Sequence, residues 1–291
     1  MTKKFIAGFI FYAVFSFQLI ASEDRAMFWR VDSAQATVYL LGSIHFADSS
    51  FYPLRAEIEQ AFAAAQTLVV EVDMDSLESS ARLQHFMQKE ALYTGEETLR
   101  DNLSEKTYNQ LQAYLKDLGI LPAMVEKQKP GVVVLTLAAI QAQQAGLKPE
   151  LGIDQHFLNK VEDKKLLALE TMDEQLALFL DIEDADLLFQ DLFYSQEILE
   201  SEMNNLISAW KQGDEDRMHK LLFEDILNEN AAIVALYEKL YFQRNIKMVA
   251  SIKNYLKQEG DYFVVVGAGH LIGDRGIVQL LHNAGYQLVR L

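Results

Sequence analysis

Two segments near opposite ends of the chain share one design: a β-favouring run, a glycine, two more residues and a histidine. Val38–Leu41 leads into Gly42-Ser-Ile-His45, and Tyr262–Val266 leads into Gly267-Ala-Gly-His270. In each, glycine lets the backbone turn sharply where a side chain would obstruct it. The histidine then stands just beyond the carboxyl end of a strand, the edge at which open α/β sheets bind ligands. A third group is Glu71, inside Leu68-Val-Val-Glu-Val-Asp73. A carboxylate in a buried strand is costly unless it is paired or bound to a metal. Two imidazoles and one carboxylate suit a divalent transition metal with positions left open for water. Such an ion acidifies its water and polarises a carbonyl. The competing expectations are a salt bridge from Glu71 to an arginine and a metal-free acid/base site.

Other polar groups stand in apolar settings. Glu170 repeats the situation of Glu71, a carboxylate at the end of an apolar strand; either is expected to hold the ion with the histidines, the one left off it acting as general base. Gly152-Ile-Asp154 opens a helix, so Asp154 either caps that helix or serves the site. Arg244 and Asn245 could bind a substrate carboxylate or stabilise an oxyanion, or lie on a solvated helix face with ordinary ion pairs. Ser43, two residues before His45, is a candidate substrate contact rather than a nucleophile. His85, His219 and His282 lie on polar helical stretches and read as surface or capping residues. The chain has no cysteine, which excludes disulfides, thiolate zinc sites and a cysteine nucleophile. It has no His-Glu-x-x-His, the usual zincin arrangement, and no Gly-x-Ser-x-Gly nucleophile turn.

The elements that must position these groups follow from periodicity. Met27–Asp32 and Thr37–Leu41 read as a strand pair around the turn-prone Ser33–Ala36. Pro53–Gln66 reads as a helix, and Thr67–Val72 as a strand buried on both faces. Ser76–Gly146 is helical with breaks at Gly95, Gly119–Pro122 and Pro130–Gly131. Leu166–Glu170 is a further strand candidate. Asp173–Gln258 is helical apart from Gly213. Tyr262–Val266, Gly276–Asn283 and Tyr286–Leu291 close the chain as strand, helix and strand. The expected fold is α/β (α+β): a central mixed sheet built from the two terminal segments, with a large helical insertion. No 20–50-residue repeat and no Pro- or Gly/Ser-rich linker is present, so residues 22–291 are expected to form one domain.

The N-terminus suggests export. Lys3 and Lys4 precede an apolar run from Phe5 to Ala21, the parts of a secretory signal, with an uncleaved membrane anchor as the alternative. The protein is therefore expected outside the cytoplasm, in the periplasm or anchored facing away from the cytoplasm. The formal charge of −16 over 291 residues is spread along the chain, with a concentration from Asp181 to Asp191. Such a surface repels nucleic acid and anionic headgroups, so no nucleic-acid partner is expected, and a membrane partner only through an uncleaved N-terminus.

Gly42-Ser-Ile-His45, the Leu-Val-Val-Glu71 strand, Gly152-Ile-Asp154, Arg244-Asn245 and Val266-Gly-Ala-Gly-His270-Leu-Ile-Gly-x-x-Gly276 together resemble the TraB/GumN family. That family includes the Tiki proteins, which resemble membrane-tethered metalloproteases. Haem-associated ChaN-like and erythromycin-esterase-like proteins are more distant relatives. The resemblance implies a mixed-sheet fold with His45, Glu71 and His270 in one site. It also implies peptide hydrolysis dependent on a divalent ion such as Mn or Co, with Zn as a further candidate. Peptides or small molecules are the expected substrates. The rival expectations are a non-catalytic ligand-, peptide- or haem-binding protein and an esterase-like hydrolase.

Overall fold

A computed structural model describes residues 25–74, 76–180, 182, 184–224 and 231–291. The expected signal segment lies outside them. The architecture is mixed α/β, as expected. Strands β1 (Phe28–Asp32), β2 (Ala36–Ser43), β3 (Thr67–Val70), β4 (Lys165–Ala168), β5 (Gly260–Gly267) and β6 (Leu288–Arg290) form one sheet in the order β4-β3-β5-β2-β1-β6. β1 pairs antiparallel with β2 and β6, whereas β2, β5, β3 and β4 are mutually parallel.

Burial explains this order. Every residue of β3 is buried, and so are Tyr262–Val266 of β5. Apolar on both faces, these strands belong in the sheet's interior with helices on each side. β4 is half-exposed and forms the edge. Phe28, Leu40, Leu68, Phe263 and Val264 sit in a core that α1 (Ala56–Ala64) covers through Ile58 and Phe62.

The helical insertion arrives as two blocks separated by β4. The first contains α2 (Leu77–His85), α3 (Glu105–Asp117), α4 (Pro130–Gln144) and α5 (Ile153–Leu158). The second contains α6 (Met172–Leu180), α7 (Ala185–Gln212), α8 (Glu215–His219), α9 (Ala231–Tyr237) and α10 (Gln243–Tyr255). Wide π-type turns, Lys220–Glu224 and Glu238–Phe242, follow α8 and α9. α3, α4 and α7 share a separate small core of Leu111, Tyr114, Leu137 and Phe189. The expected helix at Pro53–Gln66 is shorter at both ends. Its start yields to the extended Arg55, and Ala65 turns extended to enter β3. After β5 the chain forms the short α11 (Ala268–Leu271) and α12 (Ile277–Asn283) before β6.

The consequence for chemistry lies at one edge. Because β2, β5 and β3 are parallel neighbours, their carboxyl ends coincide: Ser43 lies opposite Gly267, and Val70 opposite Val265. Residues that follow these ends are therefore brought together.

Candidate functional site

His45, Glu71 and His270 meet at that edge. Glu71 lies just past β3 rather than inside it, which frees its side chain to bend toward β5. The Gly267 N–H donates to Glu71 Oε2 at 2.7 Å. His45 Nε2 stands 4.0 Å from Oε2, and His270 Nε2 stands 3.6 Å from Oε1. The two Gly-x-x-His glycines act through close packing, since neither adopts the left-handed conformation expected of a sharp turn. A Cβ on Gly42 would sit 2.8 Å from Met27 Cβ and 3.0 Å from the Ala268 Cα. A Cβ on Gly267 would intrude into the site itself, 3.2 Å from Glu71 Oε2 and 3.9 Å from His45 Nε2.

Each imidazole is held from behind. His45 Nδ1 lies 2.9 Å from Asp154 Oδ1 on the first turn of α5, so Asp154 serves the histidine. His270 Nδ1 lies 2.6 Å from Asn245 Oδ1 on α10. The Asn245 amide nitrogen donates to the Arg275 carbonyl at 2.9 Å, which turns its oxygen toward His270. Both histidines therefore carry hydrogen on Nδ1 and present Nε2 to Glu71. An outer partner on one imidazole nitrogen, with the other turned inward, is the arrangement that orients metal-ligating histidines.

Arg244 joins the carboxylates. Its Nη2 donates to Glu71 Oε1 at 2.5 Å and to Glu170 Oε2 at 2.6 Å. Its Nε donates to Glu170 Oε1 at 2.8 Å, and its Nη1 to the Leu240 carbonyl at 2.8 Å. Gln175 adds a 2.6 Å bond to Glu170. The salt bridge weighed for Glu71 thus exists, in addition to its contact with the histidines. Glu170 is buried, is saturated by Arg244 and Gln175, and does not face the cavity described below. The Arg244 guanidinium is spent on these carboxylates and is not free to clamp a substrate carboxylate. Asn245, fully buried, touches His270 rather than the cavity.

These contacts set the charges. Burial works against ionised Glu71, but His270, His45, Arg244 and the Gly267 N–H outweigh it and hold the carboxyl at about 2. Burial pushes His270 down to about 4, so it is neutral at pH 7. Enclosure likewise disfavours imidazolium at His45, yet the hydrogen bond and charge of Asp154, with Glu71 behind, raise it to about 9. The His45 side chain remains 60% exposed, so Asp154 is the influence that matters most there. Among the described residues, no set of three His, Asp or Glu side chains is gathered tightly enough to hold a metal ion as the side chains stand. The donor set nevertheless suits one. Neutral His270 points a lone pair at a carboxylate oxygen, a juxtaposition that a cation between them would relieve.

A cavity of about 360 Å³ opens on this cluster, lined by Ser43, His45, Glu71, Arg244, Gly267 and His270 at the sheet end. Ser43 Oγ is buried there without a hydrogen-bond partner. Tyr241, unnoticed in the sequence, also lines it, its ring centroid 5.1 Å from that of His270. Burial and the nearby Glu71 push its hydroxyl above the usual range, which keeps it a proton donor. The signal for Tyr241 was its position one turn before Arg244-Asn245, which places it on the same helical face.

The chain belongs to the TraB/PrgY/gumN family, whose sequence model matches residues 27–290. It is 28% identical over 246 residues to YbaP of Escherichia coli (strain K12), covering 84% of this chain and 87% of that protein. A Treponema pallidum (strain Nichols) protein is 22% identical over 279 residues, covering 91% and 82% of the two chains. A "Metalloprotease TIKI homolog" of Nematostella vectensis is 22% identical over 309 residues, covering 86% of this chain and 64% of that protein. No solved structure matches.

Proposed function

We propose that the protein is a metal-dependent hydrolase acting on peptide bonds. The observation that carries this reading is the convergence of His45 Nε2 and His270 Nε2 on Glu71, each ring held from behind by its own partner. The distant likeness to a protein named a metalloprotease supports the same reading. His45, His270 and Glu71 would hold the ion, with Mn, Co or Zn as candidates. Once bound, it would supply an acidified water and a polarised carbonyl.

The chain's own groups have separate tasks. Asp154 and Asn245 keep both Nε2 atoms turned inward. Arg244 and Glu170 hold Glu71 in place and offset its charge. Tyr241, which keeps its proton, is placed to donate to an oxygen that becomes negative during hydrolysis. Ser43 Oγ offers an unspent hydrogen bond to the substrate. The basic start and apolar run at residues 3–21 support an exported protein; among the described residues no helix is long and apolar enough to cross a membrane.

A second reading, a ligand-binding pocket without turnover, is favoured by one observation: Arg244 already supplies a cation to Glu71. Incubating the purified chain with Mn, Co or Zn and a mixed peptide pool, followed by mass spectrometry, separates the two. Cleavage that is abolished by chelator and by Glu71→Gln supports hydrolysis; an intact pool with every metal supports the binding reading.

A further inference from the structure

Away from the sheet edge, the cavity wall changes character. It is built by Leu178 and Phe179 of α6, Met203 and Leu206 of α7, Leu222 of the Lys220–Glu224 turn, and Leu240 of the Glu238–Phe242 turn. All six are only partly buried and line the void, Leu206 and Leu222 while also packing against the main core. At about 360 Å³ the void falls within the range of roughly 300–1,000 Å³ typical of ligand pockets. The polar end carries Glu71, Arg244, His45 and His270. An apolar wall disfavours a charged guest side chain, whose desolvation it does not repay. Ser43 Oγ, buried and unpartnered at the sheet end of the cavity, is satisfied by a neutral hydrogen-bonding group.

From this juxtaposition we infer that the helical wall selects a peptide segment whose large, uncharged apolar side chain (Phe, Leu or Met class) enters the cavity, while its main-chain amide meets Ser43. The inference rests on the peptide reading above and assigns specificity to α6, α7 and the two wide turns rather than to the strand-end cluster. The wall residues come from α6, α7 and the two wide turns, whereas Asp154 of α5 and Asn245 of α10 hold the histidines, so side-chain choice is set by separate elements.

Binding without turnover tests it. N-acetyl amino-acid N-methylamides of Phe, Leu, Gly and Asp are titrated by calorimetry into the full chain and into Met203→Trp and Leu222→Phe, each variant checked by its melting temperature. The Phe and Leu probes should bind the wild type about 10- to 100-fold more tightly than the Gly probe, from burial of one large apolar side chain, and the Asp probe most weakly. At least one filled-cavity variant that melts like the wild type should lose most of that preference while keeping its affinity for the Gly probe. Equal affinity for Phe and Gly, preference for Asp, no binding of any probe at millimolar concentration, or unchanged selectivity in both variants would overturn the inference. Selective apolar binding with no peptide cleaved would leave it standing and remove the hydrolase reading. Cleavage indifferent to side chain would do the reverse.

Discussion

Asn245 Oδ1 lies 2.6 Å from His270 Nδ1, and the Asn245 amide is itself fixed by the Arg275 carbonyl. This chain of two bonds sets which imidazole nitrogen faces Glu71. Asn245→Ala should therefore weaken metal binding by about 10- to 100-fold, as loss of an outer-shell partner commonly does. Stability should fall by only about 1–3 kcal/mol, from the unpaired buried groups left behind. Calorimetric titration with Mn or Zn beside a denaturant melt checks both; unchanged metal affinity in the folded variant would dissociate Asn245 from the site.

Arg244 lies between two buried carboxylates, Glu71 and Glu170. Arg244→Gln should lower stability by about 3–5 kcal/mol, because each carboxylate then lacks its buried counter-charge. A divalent ion would replace part of that charge. The rise in melting temperature on adding Mn or Zn should accordingly be larger in Arg244→Gln than in the wild type. An equal or smaller rise would mean that the ion does not reach Glu71.

The pH dependence follows from His45 and His270. With His45 raised from 6.5 to about 9, metal uptake near neutrality must displace its proton. Apparent affinity should then increase about tenfold per pH unit up to pH 9. Asp154→Asn removes the main cause of the elevation and should flatten this slope above neutrality. In the metal-free protein, the stability that His45 contributes is fully present below pH 6.5 and is lost as pH rises through 9. His270, lowered from 6.5 to about 4, contributes stability above pH 6.5 that is lost as pH falls through 4. NMR titration of both imidazoles and denaturant melts across pH 4–9 read these windows.

The strand-end cluster was legible because its cues are local. Period-2 and continuous apolar runs marked the strands, and a parallel sheet necessarily gathers residues that follow their carboxyl ends. Glu71, His45 and His270 came from that logic together with the family resemblance. Arg244 with Glu170 did not, because their pairing joins residues 74 apart in sequence and no local spacing encodes it. Asp154 reads from sequence equally well as a helix cap, and only the path of the His45 loop decides between the two. The apolar wall was hidden for a different reason: half-buried leucines facing a void carry the same periodicity as leucines facing a core.

The two motif glycines separate site from scaffold. Gly267→Ala pushes a methyl against Glu71 Oε2 and toward His45, so it should lose metal affinity with little change in melting temperature. Gly42→Ala meets backbone and a fixed side chain and should cost about 1–3 kcal/mol of stability. Melting curves and metal titrations of the two variants side by side give the comparison, and a Gly267→Ala protein that keeps full metal affinity would place the ion elsewhere.

Metal content is the most direct measurement of the central claim. The purified chain, loaded with Mn, Co or Zn and freed of excess, is analysed by elemental mass spectrometry beside His45→Ala, Glu71→Ala and His270→Ala, with circular dichroism confirming that each is folded. The account predicts one ion per wild-type chain and loss of that ion in all three folded variants. No bound ion in the wild type, or an ion retained undiminished in the folded variants, would contradict it.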